Sequence, residues 1–276
     1  MRTRTIFLDI DGTLTDFAGR MPDSAKEALE RAHRAGHRLV LCSGRGVTQI
    51  YPWMRQSPLF DGCICAAGAV VFAGKTCLEN RTIPRKKLSL LLSHLEEKHA
   101  IFFLQSMGGM FGNAWSVENG TMLIGNGALD PRQREELFGR TEVLPDLVLR
   151  TDCNKLVYYR LPETLEELQR AAGPFFQVTD SSFRRAVSTG YTDGEITMAA
   201  CPKSHGMAKF LRYIGASRKD ATAFGDGPND LEMLAYAGTG VAMGNGTDAC
   251  KAQADFVTAS IHEDGIYLGF QKLGLI

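Results

Sequence analysis

The sequence predicts an α/β protein in which an α+β domain is inserted into a parallel-sheet core. At both ends of the chain, short apolar segments alternate with amphipathic helical segments, as in parallel sheets with helical crossovers. The middle of the chain instead shows two strong helical patterns, each followed by strand-like segments. We therefore expect a core domain at residues 1–83 and 200–276 and an inserted domain at residues 84–199.

The N-terminal part of the core begins with the apolar segment TIFLDI (5–10), which predicts a strand buried on both faces. Ser24 and Glu27 have the spacing of a capping box and predict the start of a helix. The segments HRLVLCSG (37–44) and GCICAAGAVVF (62–72) are predicted to be the next two strands of the parallel sheet.

The C-terminal part of the core repeats this alternation of helices and strands. Helices are predicted at KSHGMAKFLRYIG (203–215), NDLEMLAYAG (229–238) and HEDGIYLGFQKLG (262–274). The strands between them are predicted at ATAFGDG (221–227), TGVAMGNG (239–246) and ADFVTAS (254–260).

The inserted domain has helical patterns at 84–100, where leucines recur at helical spacing, and at 162–173, where a proline stands near the start. The Gly- and Met-rich segment 106–115 is either a substrate-facing loop or an ordinary turn of the domain. Strands are predicted at IFFLQS (101–106), NAWSVENGTMLIG (113–125), DCNKLVYYRL (152–161), FFQVTDSS (175–182), RRAVST (184–189) and EITMA (195–199).

Composition and charge exclude several functional classes. The 276 residues include 31 Lys and Arg and 31 Asp and Glu, so the chain has no basic excess with which to bind a nucleic-acid backbone. No apolar run reaches the roughly 20 residues that span a bilayer, and Asp9 and Asp11 interrupt the N-terminal apolar stretch too early for a signal peptide. The odd number of cysteines, 7, favours reduced thiols in a cytoplasmic protein.

The strongest local signal is the segment DIDGTLTD (9–16). Asp9 and Asp11 stand at the carboxyl end of the first predicted strand, where open α/β sheets bind their ligands. Two carboxylates this close repel each other unless a cation or a shared proton intervenes. Gly12 and Thr13 supply a turn whose N–H groups suit an anion. An isolated pair of such acids is more often a surface turn or a helix cap, and the apolar strand before this pair argues against that interpretation.

Three later motifs also stand at the end of a predicted strand or the start of a helix. They are the hydroxyl of Ser43 in CSGR, the ammonium of Lys203 before a helix, and the carboxylates of Asp226 and Asp230 in GDGPND. Each has an ordinary alternative, as a turn, a solvated lysine and a second turn respectively. Their shared placement favours one site instead, and oxygen ligands from Asp9 and Asp226 suit Mg²⁺.

With these four motifs in this order, the sequence resembles the haloacid dehalogenase-like hydrolase superfamily. The segment FGDGPNDLEMLAYAGTGVAMGNG (224–246), with ADFVT and EDGI after it, closely resembles the Cof-type subgroup of sugar-phosphate and small-phosphate phosphatases. The resemblance covers both ends of the core, whereas the inserted segment matches in position and size more than in sequence. It implies a Rossmann-like core and an inserted cap domain that sets substrate specificity.

The resemblance also implies a role for each motif residue. Asp9 is the nucleophile that forms an aspartyl-phosphate, and Asp11 is the general acid and base. Mg²⁺ is bound by Asp9, the backbone carbonyl of Asp11 and Asp226, while Asp230 supports the metal loop. The phosphoryl group is bound by Thr13, Ser43, Gly44, Lys203 and Asn229.

The chain departs from the family pattern at two places. Subgroup members commonly carry Asn-Gly-Ala after the third strand, where this chain has Ala67-Gly68-Ala69, which puts a polar contact from position 67 in doubt. The third motif reads KSHG where Lys-Gly is usual, so Ser204 and His205 are additions. His205 is interpreted either as a substrate contact or as an ordinary residue of the helix start.

Two further patterns do not predict a site of their own. AVVFAGKT (69–76) fits a relaxed P-loop pattern, but bulky residues occupy the loop and no helical pattern follows, so we expect a hairpin turn at 73–75. Cys63 and Cys65 have no matching pair of Cys or His residues nearby, so we expect buried thiols rather than zinc ligands.

Taken together, the motifs predict a Mg²⁺-dependent phosphatase that hydrolyses a small phosphorylated metabolite, such as a sugar phosphate or a phosphorylated cofactor. We expect a monomer or a small homo-oligomer with no nucleic-acid or membrane partner. A phosphotransferase such as a phosphomutase, using the same aspartyl-phosphate, is the alternative. A receiver-type signalling module is shorter and lacks an inserted domain, and a nucleotide-binding protein would rest on the GKT segment alone.

Overall fold

The computed structural model describes residues 3–16, 18–123, 141–180 and 190–276. The chain divides into two compact units. The first unit contains Met1–Gly44, Pro52–Glu79 and Pro202–Ile276, and the second contains Arg45–Tyr51 and Asn80–Cys201.

The described residues form fourteen strands and nine α-helices. The strands are β1 (Thr5–Leu8), β2 (Arg38–Cys42), β3 (Gly62–Cys65), β4 (Val70–Ala73), β5 (Thr76–Asn80), β6 (Ile101–Ser106), β7 (Met110–Gly112), β8 (Thr141–Val143), β9 (Cys153–Leu161), β10 (Phe176–Asp180), β11 (Thr192–Met198), β12 (Ala221–Gly225), β13 (Thr239–Ala242) and β14 (Phe256–Val257). The helices are α1 (Asp23–Arg34), α2 (Pro52–Arg55), α3 (Arg85–Glu97), α4 (Ala114–Leu123), α5 (Leu165–Ala172), α6 (Lys203–Tyr213), α7 (Leu231–Tyr236), α8 (Asp248–Gln253) and α9 (Gly265–Lys272).

The first unit is built on an eight-stranded sheet in the order β14-β13-β12-β1-β2-β3-β4-β5. Neighbouring strands from β14 to β3 are parallel, which confirms the predicted α/β class with a parallel sheet. Helices cover both faces: the ring of Phe7 contacts Phe210 of α6, and the ring of Phe224 contacts Phe270 of α9. Phe224 is paired with Leu8, the neighbour of Phe7, so the two contacts lie on opposite faces of the sheet.

One predicted strand of this sheet is in fact two. The segment 62–72 was expected to be a single parallel strand, but β3 ends at Cys65 and β4 runs back antiparallel to it. The reversal is made by Ala66, Ala67 and Gly68, whose φ angles of 48°, 58° and 117° lie in the left-handed region. The apolar composition hides this turn, because alanine is not a usual residue for that region.

The start of α1 also differs from the prediction. The helix begins at Asp23 with Pro22 at the N-cap position, and Ser24 makes no capping hydrogen bond. Ser24 instead lies inside the first turn, where its position no longer allows the capping box. The apolar stripe of the helix is as expected, with Ala25, Ala28, Leu29 and Ala32 buried.

The second unit has a six-stranded sheet in the order β10-β11-β9-β6-β7-β8. Its strand pairs are antiparallel except for β7 with β8, so this part is of the predicted α+β class. The predicted strand 113–125 is wrong, because α4 occupies most of it. Asn113 caps this helix by accepting a hydrogen bond from Ser116 N at 2.8 Å. Gly120 lies against Phe103, and Val117 packs on the apolar cluster that contains Phe103. The predicted strand 184–189 lies outside the described residues.

Candidate active site

Two neighbouring strands of the first unit end in the carboxylates of the site. Asp9 directly follows β1 and Asp226 directly follows β12, so both lie at the carboxyl edge of the parallel sheet. The N–H of Asp9 donates to Phe224 O at 3.0 Å and extends the pairing of the strands to this point. Asp9, Asp226 and Asp230 are all buried, and one carboxylate oxygen of each lies within 4.8 Å of the others.

Lys203 links two of these carboxylates. It is the first residue of α6, and its side chain is 1% exposed. Its Nζ lies 2.5 Å from Asp9 Oδ1 and 2.5 Å from Asp230 Oδ1. The sequence motif therefore places the ammonium inside the acidic cluster, and the alternative of a solvated surface lysine is wrong.

Asp230 holds the loop that carries Asp226. Its Oδ2 accepts hydrogen bonds from Asp226 N at 3.0 Å and from Gly227 N at 2.9 Å, while its Oδ1 faces Lys203. The carbonyl of Asp226 accepts a further bond from Thr247 N at 2.9 Å. The loop is thus held at its N–H groups by the buried carboxylate of Asp230 and at the carbonyl of Asp226 by the residue that precedes α8.

The turn after Asp9 packs directly on Asp226. Thr13 Oγ1 donates to Asp226 Oδ1 at 2.8 Å. Gly12 has a φ of 88°, and a Cβ added to it would overlap the Asp226 carboxylate, so the turn requires glycine for both its conformation and its space. Asp11 is half-buried beside this turn. The segment DIDGT therefore makes one packed unit with the GDGPND loop.

Ser43 and Gly44 follow β2, the other neighbour of β1, and both are buried at the same edge of the sheet. The N–H of Ser43 donates to Ile64 O at 2.8 Å, and its carbonyl accepts from Ala67 N at 3.2 Å. Asn229 is half-buried in the short 3₁₀ turn Pro228–Asp230. All the predicted site residues thus belong to the carboxyl edge of this sheet or to the start of α6.

The charges of the cluster do not balance by themselves. Burial and the charge of Asp230 raise the pKa of Asp9 to about 7, although Lys203 acts in the opposite direction. Burial alone lowers the pKa of Lys203, but the charges of Asp230 and Asp9 outweigh burial and raise it, so the ammonium stays protonated. Three buried carboxylates with one ammonium leave an excess of negative charge. A divalent cation with oxygen ligands, such as Mg²⁺, fits this donor set.

Asn245, which follows β13 and belongs to none of the four motifs, supports the turn after Asp9. Its Nδ2 donates to Gly12 O at 2.7 Å, and its Oδ1 accepts from Ile261 N at 2.8 Å. Asn245 stands in GNG, shortly after β13, so the signal was a polar residue following another strand of the same sheet. Gly-Asn-Gly is equally typical of an ordinary turn, so the pattern alone does not indicate a site residue.

His205 contacts a different part of the first unit. Its Nε2 lies 3.1 Å from Glu79 Oε1, and Lys209 Nζ lies 3.5 Å from Glu79 Oε2. Glu79 belongs to β5, at the far end of the sheet from β12. This contact supports the interpretation of His205 as an ordinary residue of the helix start.

Two other sequence patterns, the GKT segment and segment 106–115, contain turns between strands. Strands β4 and β5 flank a turn at Gly74 and Lys75, so the GKT segment forms a hairpin turn and no P-loop. Segment 106–115 spans the end of β6, the tight turn to β7 and the start of α4. In that turn Gly108 N donates to Ser106 Oγ at 3.0 Å. Whether this turn contacts substrate stays a prediction.

Comparison with known proteins gives the family. The sequence model of the haloacid dehalogenase-like hydrolases matches residues 6–269, nearly the whole chain. The pyridoxal phosphate phosphatase YbhA of Escherichia coli (strain K12) is 30% identical over 275 residues, which are 96% of this chain and 97% of YbhA. The chain belongs to the haloacid dehalogenase-like hydrolase family. The predicted resemblance and the prediction of an enzyme are confirmed.

Two further phosphatases resemble the chain over nearly its full length. YcsE of Bacillus subtilis (strain 168), named 5-amino-6-(5-phospho-D-ribitylamino)uracil phosphatase, is 25% identical over 95% of this chain and 92% of its own. The solved structure of the sugar phosphatase BT4131, of subclass IIB, matches with a TM-score of 0.80 and 25% identity, covering 99% of this chain and 100% of that one. Proteins named as phosphatases of different small phosphorylated compounds thus resemble this chain. Among the described residues, no helix is both long and apolar enough to cross a membrane.

Proposed function

We propose that this hydrolase is a Mg²⁺-dependent phosphatase that removes phosphate from a small phosphorylated metabolite through an aspartyl-phosphate on Asp9. The observation that carries the proposal is the buried cluster in which Lys203 contacts Asp9 and Asp230 while Asp226 lies beside them. A buried carboxylate next to an ammonium and an excess of negative charge suits a nucleophile that works beside a metal ion.

The metal ion would be bound by Asp9, Asp226 and the backbone carbonyl of Asp11. Asp230 holds the metal loop through its bonds to Asp226 N and Gly227 N. When bound, Mg²⁺ offsets the repulsion between the Asp9 carboxylate and a phosphate dianion. The chain itself supplies the remaining positive potential through Lys203 and through the backbone N–H groups of the edge loops.

In the first step, a carboxylate oxygen of Asp9 bonds to phosphorus, and the bond from phosphorus to the leaving oxygen breaks. Asp11 donates its proton to that leaving oxygen. In the second step, Asp11 takes a proton from water, the water oxygen bonds to phosphorus, and Asp9 is released with inorganic phosphate. Lys203 holds Oδ1 of Asp9 and so fixes the orientation of the nucleophile.

Binding of the phosphoryl group is assigned to residues that share the same edge. Ser43 and Gly44 lie in the loop after β2, Thr13 and Asn229 lie in the two Asp-bearing turns, and Lys203 begins α6. The hydroxyl of Thr13 donates to Asp226 Oδ1 at 2.8 Å, and its backbone N–H donates to Ile10 O over the longer distance of 3.4 Å. The backbone N–H, which would exchange this weaker bond, is therefore the group assigned to phosphate.

The substrate class rests on the relatives. YbhA is named for pyridoxal phosphate and BT4131 for sugars, which supports a small phosphorylated cofactor or sugar phosphate for this chain. We assign the core to residues 1–83 and 200–276, and substrate selection to the inserted domain 84–199. A cytoplasmic enzyme, monomeric or a small homo-oligomer, without nucleic-acid or membrane partners, completes the proposal.

The test is turnover of an aryl phosphate by purified protein with Mg²⁺. Asp9→Asn removes the nucleophile, and we expect loss of turnover with an unchanged melting temperature or a higher one. Asp16→Asn is the matched control, because Asp16 accepts bonds from Ala18 N and Arg20 N through Oδ1, an oxygen that the amide retains. The substitution removes only the ion pair of Oδ2 with the exposed side chain of Arg20, which contributes little to stability. Unchanged turnover in Asp9→Asn would contradict the assignment. Release of inorganic phosphate without an added acceptor separates a phosphatase from a phosphotransferase.

A further inference from the structure

Two thiols stand side by side on β3, the neighbour of β2, and Ser43 directly follows β2. Cys63 and Cys65 are separated by one residue, so their side chains point to the same face of the sheet. Their Sγ atoms lie 3.1 Å apart. Cys65 is buried and Cys63 is half-buried, so oxidant can reach the pair through Cys63.

The residue between these cysteines holds a predicted phosphate-binding loop. Ile64 O accepts the hydrogen bond from Ser43 N at 2.8 Å, and Ala67 N, two residues after Cys65, donates to Ser43 O at 3.2 Å. Both backbone groups of Ser43 are therefore positioned by the segment that carries the two thiols. A change in the shape of β3 at Ile64 is transmitted to Ser43 through these two bonds.

We propose that Cys63 and Cys65 are an oxidation site at which a reversible disulfide forms and lowers the turnover of the enzyme. Two residues of an extended strand span about 6.6 Å between Cα atoms, near the upper limit of about 6.8 Å for disulfides. Because most disulfides have a separation of about 5.5–6 Å, we expect the bond to draw these Cα atoms together and to bend β3 at Ile64. The effect on turnover rests on the proposed function, whereas formation of the disulfide does not.

The oxidant is a peroxide, and the reaction balances with two thiols for each molecule of hydrogen peroxide. Sulfur of Cys63 attacks one peroxide oxygen, the O–O bond breaks, and a sulfenic acid and water result. Sulfur of Cys65 then attacks Cys63 sulfur, the S–O bond breaks, and a second water leaves. The two sulfurs lose two electrons and both thiol protons end in water. The hydrogen bond with Cys63 and burial raise the pKa of Cys65, which favours Cys63 as the first to react.

The expected loss of turnover follows from the displacement of Ser43. Misplacing a positioning group by about 1 Å costs up to about 100-fold in rate. We expect oxidation to lower turnover of an aryl phosphate by about 10-fold or more. Reduction with dithiothreitol breaks the disulfide and restores turnover, because no other covalent bond has changed.

The experiment uses the full chain carrying Cys77→Ser, since Cys77 is exposed and would react independently. The protein is treated with hydrogen peroxide, its remaining thiols are alkylated, and peptides are mapped by mass spectrometry. We expect a peptide in which Cys63 and Cys65 are joined, lighter by two hydrogen atoms, together with a loss of turnover that dithiothreitol reverses.

Two variants in the same background serve as controls. Cys65→Ser prevents the disulfide, so we expect treatment with peroxide to leave the turnover of this variant unchanged. Cys153→Ser removes a buried thiol of the second unit and should leave both disulfide and inactivation intact. Absence of the joined peptide overturns the proposal, and so does a joined peptide with unchanged turnover. Protein that lacks turnover before oxidation contradicts the proposed function, while the peptide map still decides the oxidation site.

Discussion

The two edges of the parallel sheet in the first unit use charge in opposite ways. The carboxyl edge comprises Asp9–Thr13, Ser43–Gly44, Asp226–Asp230 and the adjoining Lys203. Its charged side chains are buried except for the half-buried Asp11, and Lys203 contacts Asp9 and Asp230. At the amino edge, which comprises Arg4, Gly36–His37 and Ser217–Asp220, Arg218 and Lys219 are exposed and Arg4 is half-buried. Hydrogen bonds there join a side chain to a backbone N–H or carbonyl.

This difference shows that the fold places its unfavourable buried charges at the carboxyl edge, where the candidate active site lies. Burying several carboxylates costs free energy unless cations compensate them, and the carboxyl edge compensates its three only in part. The amino edge carries no such excess in the described residues and serves to join strands and helices. Matched substitutions at the two edges therefore test whether the buried charges of the carboxyl edge form a functional site or only join strands and helices, as the amino edge does.

The largest expected effect is that of removing the buried ammonium. Lys203→Met leaves Asp9 and Asp230 buried without their shared cation, and we expect a loss of about 3–5 kcal/mol in the free energy of unfolding. Lys219→Met at the amino edge removes an exposed lysine, and we expect a change within about 0.5 kcal/mol. Urea unfolding with a chelator present measures both. Equal effects of the two substitutions would contradict the contrast between the edges.

A smaller effect is expected from two glycines with the same backbone conformation. Gly12 at the carboxyl edge and Gly36 at the amino edge have φ angles of 88° and 86°. Alanine costs about 1–2 kcal/mol at either position because of the left-handed conformation. Only at Gly12 does the added Cβ overlap a neighbour, the Asp226 carboxylate, whereas nothing lies within 4 Å at Gly36.

We therefore expect Gly12→Ala to be less stable than Gly36→Ala by about a further 1–3 kcal/mol. It should also lower turnover, since Asp226 is displaced, while Gly36→Ala retains turnover. Thermal unfolding and aryl phosphate hydrolysis of the two variants make the comparison. Equal stabilities would show that the Asp226 loop moves aside at no cost and that the edge is less tightly packed than the contacts indicate.

The contrast between the edges also explains how much the sequence could predict. The strand ends that carry Asp9 and Asp226 were predictable because apolar runs followed by acidic turns identify the carboxyl edge of a parallel sheet. The turn at Ala66 and Ala67 was not, because alanine has no local signature for a left-handed conformation. The helix α4 was missed because its residues, including Val117 and Gly120, have low helix propensity and depend on packing against Phe103.

The smallest expected effect is a pH dependence at the amino edge. Arg4 N donates to His37 Nδ1 at 3.0 Å, so the imidazole is neutral there. Burial and the charge of Arg4 lower the pKa of His37. Folding thus favours the neutral form. The contribution of His37 to stability is fully present above the ordinary histidine pKa of about 6.5 and is lost as pH falls through the lowered value.

The melting temperature should therefore decline from about pH 7.5 to about pH 5.5 more steeply in the unsubstituted protein than in His37→Gln. The control is His33→Gln, at an exposed position of α1, which should retain the steeper decline. If the profile of His37→Gln is parallel to that of the unsubstituted protein, protonation of His37 does not cause the pH dependence of stability.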